Sequence, residues 1–271
     1  MVGPPLRPGQ EDRERFDAAM LGWSQRHGAP RALVLGATPE LARLRWPVRT
    51  HLIAVDHNYA MLRRLWPGYP GPSQGGVIGD WLRLPLKNGC RDVVLADGVF
   101  NLLDFPAGHR SLLRAIRRVL SDQGLCVIRC FTKPEESETP RQVLNDLWRG
   151  RIGNFHVFKW RLAMSLHERV ERGVRLKDIW AFWRGAVDSR ELVARLNWES
   201  AVVATIDNYQ GLEERYAFAT LREMRSVVEE EFVEAQCHFP TYELGERCPI
   251  LTLRPRPGKG ESCRLDDRPR G

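Results

Sequence analysis

At 271 residues, with 43% of them hydrophobic and a formal net charge of +7, the chain can bury a substantial core in one elaborated α/β domain or two small ones. No apolar run approaches the roughly 20 residues of a membrane span, and Met1 to Gln10 lacks the apolar core of a secretory signal, so no membrane partner and a cytoplasmic location are expected. The six cysteines (Cys90, Cys126, Cys130, Cys237, Cys248 and Cys263) contain no CxxC pair. They suit neither a zinc site nor a disulfide framework, and no metal is expected.

The chain order starts with a Pro- and Gly-rich tail and a helix over residues 1–30. From 31 to about 131, short apolar runs at 32–35, 51–55, 76–78, 92–96 and 125–128 alternate with helical stretches at 39–44, 58–65 and 109–120. Near-continuous apolar runs of this length fit parallel strands covered on both faces. In the third helix Leu112, Leu113, Ile116, Val119 and Leu120 form one stripe, and Gly124 suits a left-handed turn that ends it. Repeated β-α-β units imply right-handed crossovers and an open parallel sheet.

After Phe131 the alternation stops. Thr139-Pro140-Arg141-Gln142 reads as a capped helix start, with further helices over 155–170, 176–183 and 189–196. Thr220-Leu-Arg-Glu223 opens a helix through Val228, and strands at 232–239 and 248–253 close the fold as an antiparallel hairpin. The pattern predicts a core over 31–138, a helical insertion or lid over 139–219, a closing helix and hairpin over 220–255, and mobile tails before about residue 11 and over 256–271. Much of the basic excess lies between Arg141 and Arg184, interleaved with Trp148, Trp160, Trp180 and Trp183. Basic residues beside aromatics suit nucleic acid, but tryptophans at helical spacing read as a buried stripe under a solvated basic face.

Ligands in open parallel sheets bind beyond the carboxyl ends of the strands. There the first strand runs into Leu35-Gly36-Ala37-Thr38-Pro39-Glu40-Leu41, where Gly36 lets the backbone turn closely under a ligand. The second ends in Val55-Asp56-His57, and Asp56 follows Gly36 at about the 20-residue interval of a carboxylate that accepts ribose hydroxyls. Gly79-Asp80-Trp81 follows the third strand, and the fourth ends in Asp97-Gly98-Val-Phe-Asn101. Together with Leu120-Ser-Asp-Gln-Gly124, these segments resemble the class I, Rossmann-like S-adenosylmethionine-dependent methyltransferases over residues 31–131.

The resemblance implies a mostly parallel seven-stranded sheet with helices on both faces, an antiparallel final hairpin, and S-adenosylmethionine as cofactor. It implies donor contacts at Gly36, Thr38, Glu40, Asp56, His57, Asp80, Trp81, Asp97 and Gly98. In the family an acidic residue commonly stands two before the first glycine, and further glycines follow at alternate positions. Here Val34 takes the acidic place, and Thr38 and Glu40 replace two glycines. Glu40 then takes the donor's ammonium or serves as a first-turn helix carboxylate; Asp56 also reads as a helix cap, and Asp80 as a turn carboxylate.

The insertion falls where it can cover such a pocket, and its aromatics suit an apolar small molecule. Candidate acceptor contacts are Asn101, Trp148, Trp183, Tyr209 and Tyr242, with a protein or nucleic-acid acceptor also open. Methyl transfer draws much of its acceleration from positioning and electrostatics. His156, His167 and His238 are candidate bases, and none is assigned. An S-adenosylmethionine-binding regulatory protein without turnover and a nucleic-acid-modifying enzyme are the alternatives. A nicotinamide oxidoreductase shares the Gly36 and Asp56 logic, but the chain lacks GxGxxG and that reading leaves Asp80-Trp81 unexplained.

Overall fold

A computed structural model describes residues 3–66 and 74–257; the expected tail over 258–271 lies outside the described residues. The first half runs α1 (Gln10–His27), β1 (Arg31–Leu35), α2 (Pro39–Ala42), β2 (His51–Asp56), α3 (Tyr59–Leu65), β3 (Gln74–Ile78), β4 (Arg91–Asp97), α4 (Ala107–Val119) and β5 (Leu120–Arg129). The insertion follows as α5 (Pro140–Trp148), α6 (Phe155–Ser165), β6 (Val174–Arg175), α7 (Leu176–Ala186), α8 (Ser189–Leu196), α9 (Ser200–Val203) and β7 (Arg215–Tyr216). The chain then closes with α10 (Leu221–Val228), β8 (Phe232–His238) and β9 (Ile250–Pro255).

Seven strands form one sheet in the order β3-β2-β1-β4-β5-β9-β8. The first five are parallel, and β9 pairs antiparallel with both β5 and β8. This is the Rossmann-like architecture with the expected antiparallel hairpin. Strand period two sends alternate residues to opposite faces. Ala32 and Val34 of β1, with Val93 and Leu95 of β4, meet Phe16, Met20 and Trp23 of α1 on one face. Leu33, Leu35, Val94 and Ala96 meet the α4 stripe and Met224, Val227 and Val228 of α10 on the other. Burying each large apolar side chain stabilises by roughly 1.5–3 kcal/mol.

The order of strands reverses direction between β1 and β4, so the loops after these two strands flank the crevice where a ligand sits in such sheets. A third core belongs to the insertion: Phe155, Phe158, Trp160, Trp183 and Phe218 pack with Phe131, Leu244 and Cys248, which follow β5 or precede β9. The Ala217 amide donates to the Asn101 carbonyl at 3.0 Å, joining the insertion to the loop after β4. Three of its helices start on side-chain caps, each worth about 1 kcal/mol: Thr139 for α5, Asn154 for α6 and Asp188 for α8.

Four local expectations change. The first helix begins at Gln10, inside the stretch expected to be a mobile tail, because Asp12 accepts from the Gly9 amide at 2.7 Å. Strand β5 begins directly after α4, and Gly124 lies within it rather than in a left-handed turn; a β-carbon there would come within 2.8 Å of Leu120 and Ser121. Helix α6 stops at Ser165 rather than Val170, and His167 turns inward so that its Nε2 accepts from the Phe218 amide at 3.1 Å. The short β6–β7 pair was not expected; Gly173, at φ +60°, leads into it.

Candidate cofactor and acceptor site

Gly36 ends β1 at φ +86°, a conformation that favours glycine, and the next residues turn into α2. The place of its missing β-carbon meets Trp81 at 3.5 Å and Asp56 at 3.9 Å, so both side chains pack directly against the turn. The buried Asp56 carboxylate accepts from the Ala37 amide at 3.1 Å and the Asn58 amide at 2.8 Å. A carboxylate has about four acceptor positions, so two remain for ribose hydroxyls. The carboxylate braces both the glycine turn and the start of the α3 segment.

Trp81 donates its indole N–H to the Val55 carbonyl at 2.7 Å, which fixes its ring beside Gly36. Asp80 is exposed and caps the short 3-10 turn at Trp81–Arg83, accepting from the Leu82 amide at 2.9 Å. His57 is largely exposed, edge-on to Trp81 with ring centroids 6.2 Å apart. Thr38 precedes α2 without a capping bond from its side chain. Val34, in the place of the family's acid, is fully buried, so the carboxylate at this end comes from Glu40, which pairs with Arg7 at 3.3 Å. A carboxylate and a guanidinium side by side match the ammonium and carboxylate of an amino-acid moiety. With Gly36 and the Asp56 carboxylate, these side chains are of the types that S-adenosylmethionine would need at this end of the sheet.

The β4 end is built around a guanidinium that sequence reasoning missed. Arg129, fully buried at the end of β5, grips Asp97 through Nε at 2.6 Å and Nη2 at 3.1 Å. Its Nη1 reaches the Tyr242 hydroxyl at 2.9 Å and Asp12 at 3.5 Å, and Tyr242 donates to Asp12 at 3.1 Å. Burial acts to lower the Arg129 pKa, but the Asp97 charge and hydrogen bonds prevail and raise it above the ordinary value, so the group stays cationic. An arginine inside the apolar run Val127-Ile128-Arg129-Cys130 was the available signal. The cluster joins β4, β5, α1 and the loop before β9, bringing Tyr242 to Asp97.

Gly98 follows at φ +63°, where a β-carbon would lie 2.7 Å from the Phe131 ring. Asn101 is 3% exposed, and its Oδ1 has no hydrogen-bond partner; it lies 3.5 Å from the Gly98 β-carbon position. Phe131 stacks on Trp160 at 4.6 Å, and the Trp160 indole N–H is also buried without a partner. An orphaned acceptor on Asn101 therefore stands beside Gly98 and an orphaned donor on the Trp160 ring behind Phe131, each costing free energy while unmet.

Other candidates sit apart. Trp183 is 1% exposed, packed against Phe155 and Phe158 at 5.4 and 5.5 Å in the insertion's own core. Trp148 lies under the Arg195 guanidinium, 5.4 Å from its ring. Both placements are those of packing residues. Tyr209 bonds through its hydroxyl to Tyr216 at 3.1 Å. Among the candidate bases, His167 is spent on the Phe218 amide, and His238 contacts Glu11 at 2.8 Å. Among the described residues no three His, Cys, Asp or Glu side chains gather to hold a metal ion, and no helix is long and apolar enough to cross a membrane.

Residues 35–128 match the family model described as a methyltransferase domain. The match covers about a third of the chain. It runs from the last residue of β1 into β5. No curated protein matches the sequence. Among solved structures, a Rhodobacter sphaeroides protein named as a candidate zinc-dependent alcohol dehydrogenase is similar at 12% identity and TM-score 0.57, over 93% of this chain and 92% of that one. A Pyrococcus horikoshii OT3 protein is similar at 12% identity and TM-score 0.53, over 92% of each chain. The N-methyltransferase NodS of Bradyrhizobium japonicum, solved with S-adenosylhomocysteine, is similar at 12% identity and TM-score 0.47, over 91% and 88%. At these identities the likeness is one of fold.

Proposed function

We propose that the chain is an S-adenosylmethionine-dependent methyltransferase whose acceptor is a small molecule enclosed between the sheet's carboxyl end and the insertion. The observation that carries this is the buried, unpartnered Oδ1 of Asn101 beside Gly98, next to Phe131, which stacks on Trp160. Asp56 holds the ribose, Arg7 and Glu40 hold the methionine end, and Trp81 flanks the nucleoside. When bound, the sulfonium supplies an electrophilic methyl carbon. That carbon would take the acceptor's lone pair, with the carbon–sulfur pair left on sulfur and the acceptor's proton released. Asn101 Oδ1 accepts from the acceptor's N–H or O–H and aims the lone pair, which fits catalysis by positioning. An enclosed aromatic wall suits a small molecule better than a protein or nucleic-acid chain, and it keeps water from the methyl group.

Calorimetry with S-adenosylmethionine, S-adenosylhomocysteine and NAD tests the donor assignment. Binding of both sulfur nucleosides and not of NAD is expected; the reverse pattern overturns it. Methyl transfer to a small-molecule library, measured as S-adenosylhomocysteine release, then tests turnover. Donor binding with no release across the library would favour the regulatory alternative.

A further inference from the structure

The insertion contains two buried basic side chains that nothing so far uses. His156 and Lys159 lie three residues apart on α6, hence on one face, and are 6% and 5% exposed. The other cation of this helix, Arg161, is paired with both Glu138 and Asp146. Lys159 has no such partner among the described residues. Burial alone pulls its pKa down to about 8, whereas a nearby carboxylate would have pulled it up. The His156 imidazole is lowered to about 4 by burial and by the Lys159 charge, and its Nδ1 is buried without a hydrogen-bond partner.

The surroundings of Lys159 are those of a receptor. Its Nζ stands 5.0 Å from the Tyr209 ring centroid. The Tyr209 hydroxyl meets that of Tyr216, which packs against Trp160 at 5.3 Å, and Trp160 stacks on Phe131 beside Gly98. One continuous aromatic wall therefore leads from the methyl-transfer end to the ammonium. A largely buried ammonium that faces an aromatic ring and no carboxylate is expensive to keep. An incoming anion would supply the missing counter-charge, and one ammonium among neutral hydroxyls and a neutral imidazole balances a single negative charge.

We propose that the acceptor is a small amphipathic carboxylic acid, its carboxylate received by Lys159 and its apolar body lying along Trp160 and Phe131 towards Asn101. This rests on the methyltransferase reading for the far end of the molecule, but the anion site itself does not require the donor.

The test uses the full chain, with 3-phenylpropanoate and its uncharged amide as probes, titrated by calorimetry with and without S-adenosylhomocysteine. The acid is expected to bind at least about tenfold more tightly than the amide, the worth of a hydrogen bond to a charged group. Lys159→Met should erase that preference and Lys159→Arg should retain it, with S-adenosylhomocysteine affinity unchanged in both. Circular dichroism confirms folding, and Lys159→Gln serves as a second neutral variant if Met does not fold. Equal affinity for acid and amide, no binding of the acid, or a preference surviving in a folded neutral variant overturns the proposal. Absence of S-adenosylhomocysteine binding alongside an intact acid preference refutes the donor reading instead and leaves the anion site standing.

Discussion

Mild acid should unfold this protein through three histidines. His109, His156 and His167 are 0%, 6% and 2% exposed, and burial, as the leading cause, lowers each from the ordinary 6.5 to about 4. The geometry agrees. His167 accepts through Nε2, which requires that atom to be unprotonated, and His109 engages the Phe100 carbonyl through Nε2 at 2.8 Å while its Nδ1 is buried and unpartnered. The folded pKa values lie below the unfolded one, so the unfolded chain binds more protons and stability falls as pH drops from about 6.5 towards 4. At pH 5 each site costs about 2 kcal/mol, against about 0.2 at pH 7, so the three together remove about 5 kcal/mol. That is a third or more of the roughly 5–15 kcal/mol that holds a typical domain together. Urea unfolding at half-unit steps between pH 7 and pH 5 should show a slope approaching three protons at the acid end. His167→Gln, which keeps an acceptor for the Phe218 amide, should reduce that slope by about one proton. Equal stability at pH 7 and pH 5 would refute the neutral, buried assignment.

Asp56→Ala should weaken donor binding by about 1.5–3 kcal/mol, for loss of a charged acceptor to the ribose; calorimetry on a folded variant checks it, and unchanged affinity would reduce Asp56 to a brace for the loop. Trp183→Ala should lower stability by about 3–5 kcal/mol by opening a cavity in the insertion, while donor affinity per folded molecule stays within a few-fold; a thermal melt paired with calorimetry separates the two. Lys159→Met should raise stability at pH 7 by up to about 3 kcal/mol, since a side chain lowered from 10.5 to about 8 no longer brings a buried charge. Because the folded pKa is the lower one, that gain should fade as pH rises from about 8 to 10.5, and denaturant titrations at pH 7 and pH 10 measure the difference.

Much of the sheet was legible because parallel strands covered on both faces must be apolar throughout, and the runs at 32–35, 51–55, 92–96 and 125–128 are. The start of β3 at Gln74-Gly75 was missed because neither residue carries an apolar pattern; the space above Gly76 is filled by Leu62, 3.4 Å from where a β-carbon would stand. That Gly36, Asp56 and Asp97 stand at or just beyond strand ends was readable, since a strand end is defined locally. The ion cluster was not. Arg129 is 117 residues from Asp12 and 113 from Tyr242, and periodicity is silent about partners that only the closed sheet brings together. Arg7 was missed for the same reason, being 33 residues from Glu40 within a stretch whose composition reads as a tail. Trp183 was read both as a candidate acceptor contact and as part of a buried stripe, because an aromatic in an insertion looks alike whether it faces a cavity or its own core.

The Arg129 hub also constrains how this sequence can drift. Truncating the arginine leaves the Asp12 and Asp97 carboxylates buried without their cation; losing Asp97 or Asp12 leaves the guanidinium short of an anion; losing the Tyr242 hydroxyl removes a bond to both Arg129 and Asp12. Removing one partner of a buried pair typically costs 3–5 kcal/mol, whereas replacing the whole set with apolar residues of similar volume is often neutral. Neutral drift thus has no single-step exit from this arrangement. Lineages descended from a common ancestor should keep all four residues or none, and the positions from α1, β4, β5 and the loop before β9 should be inherited as one character.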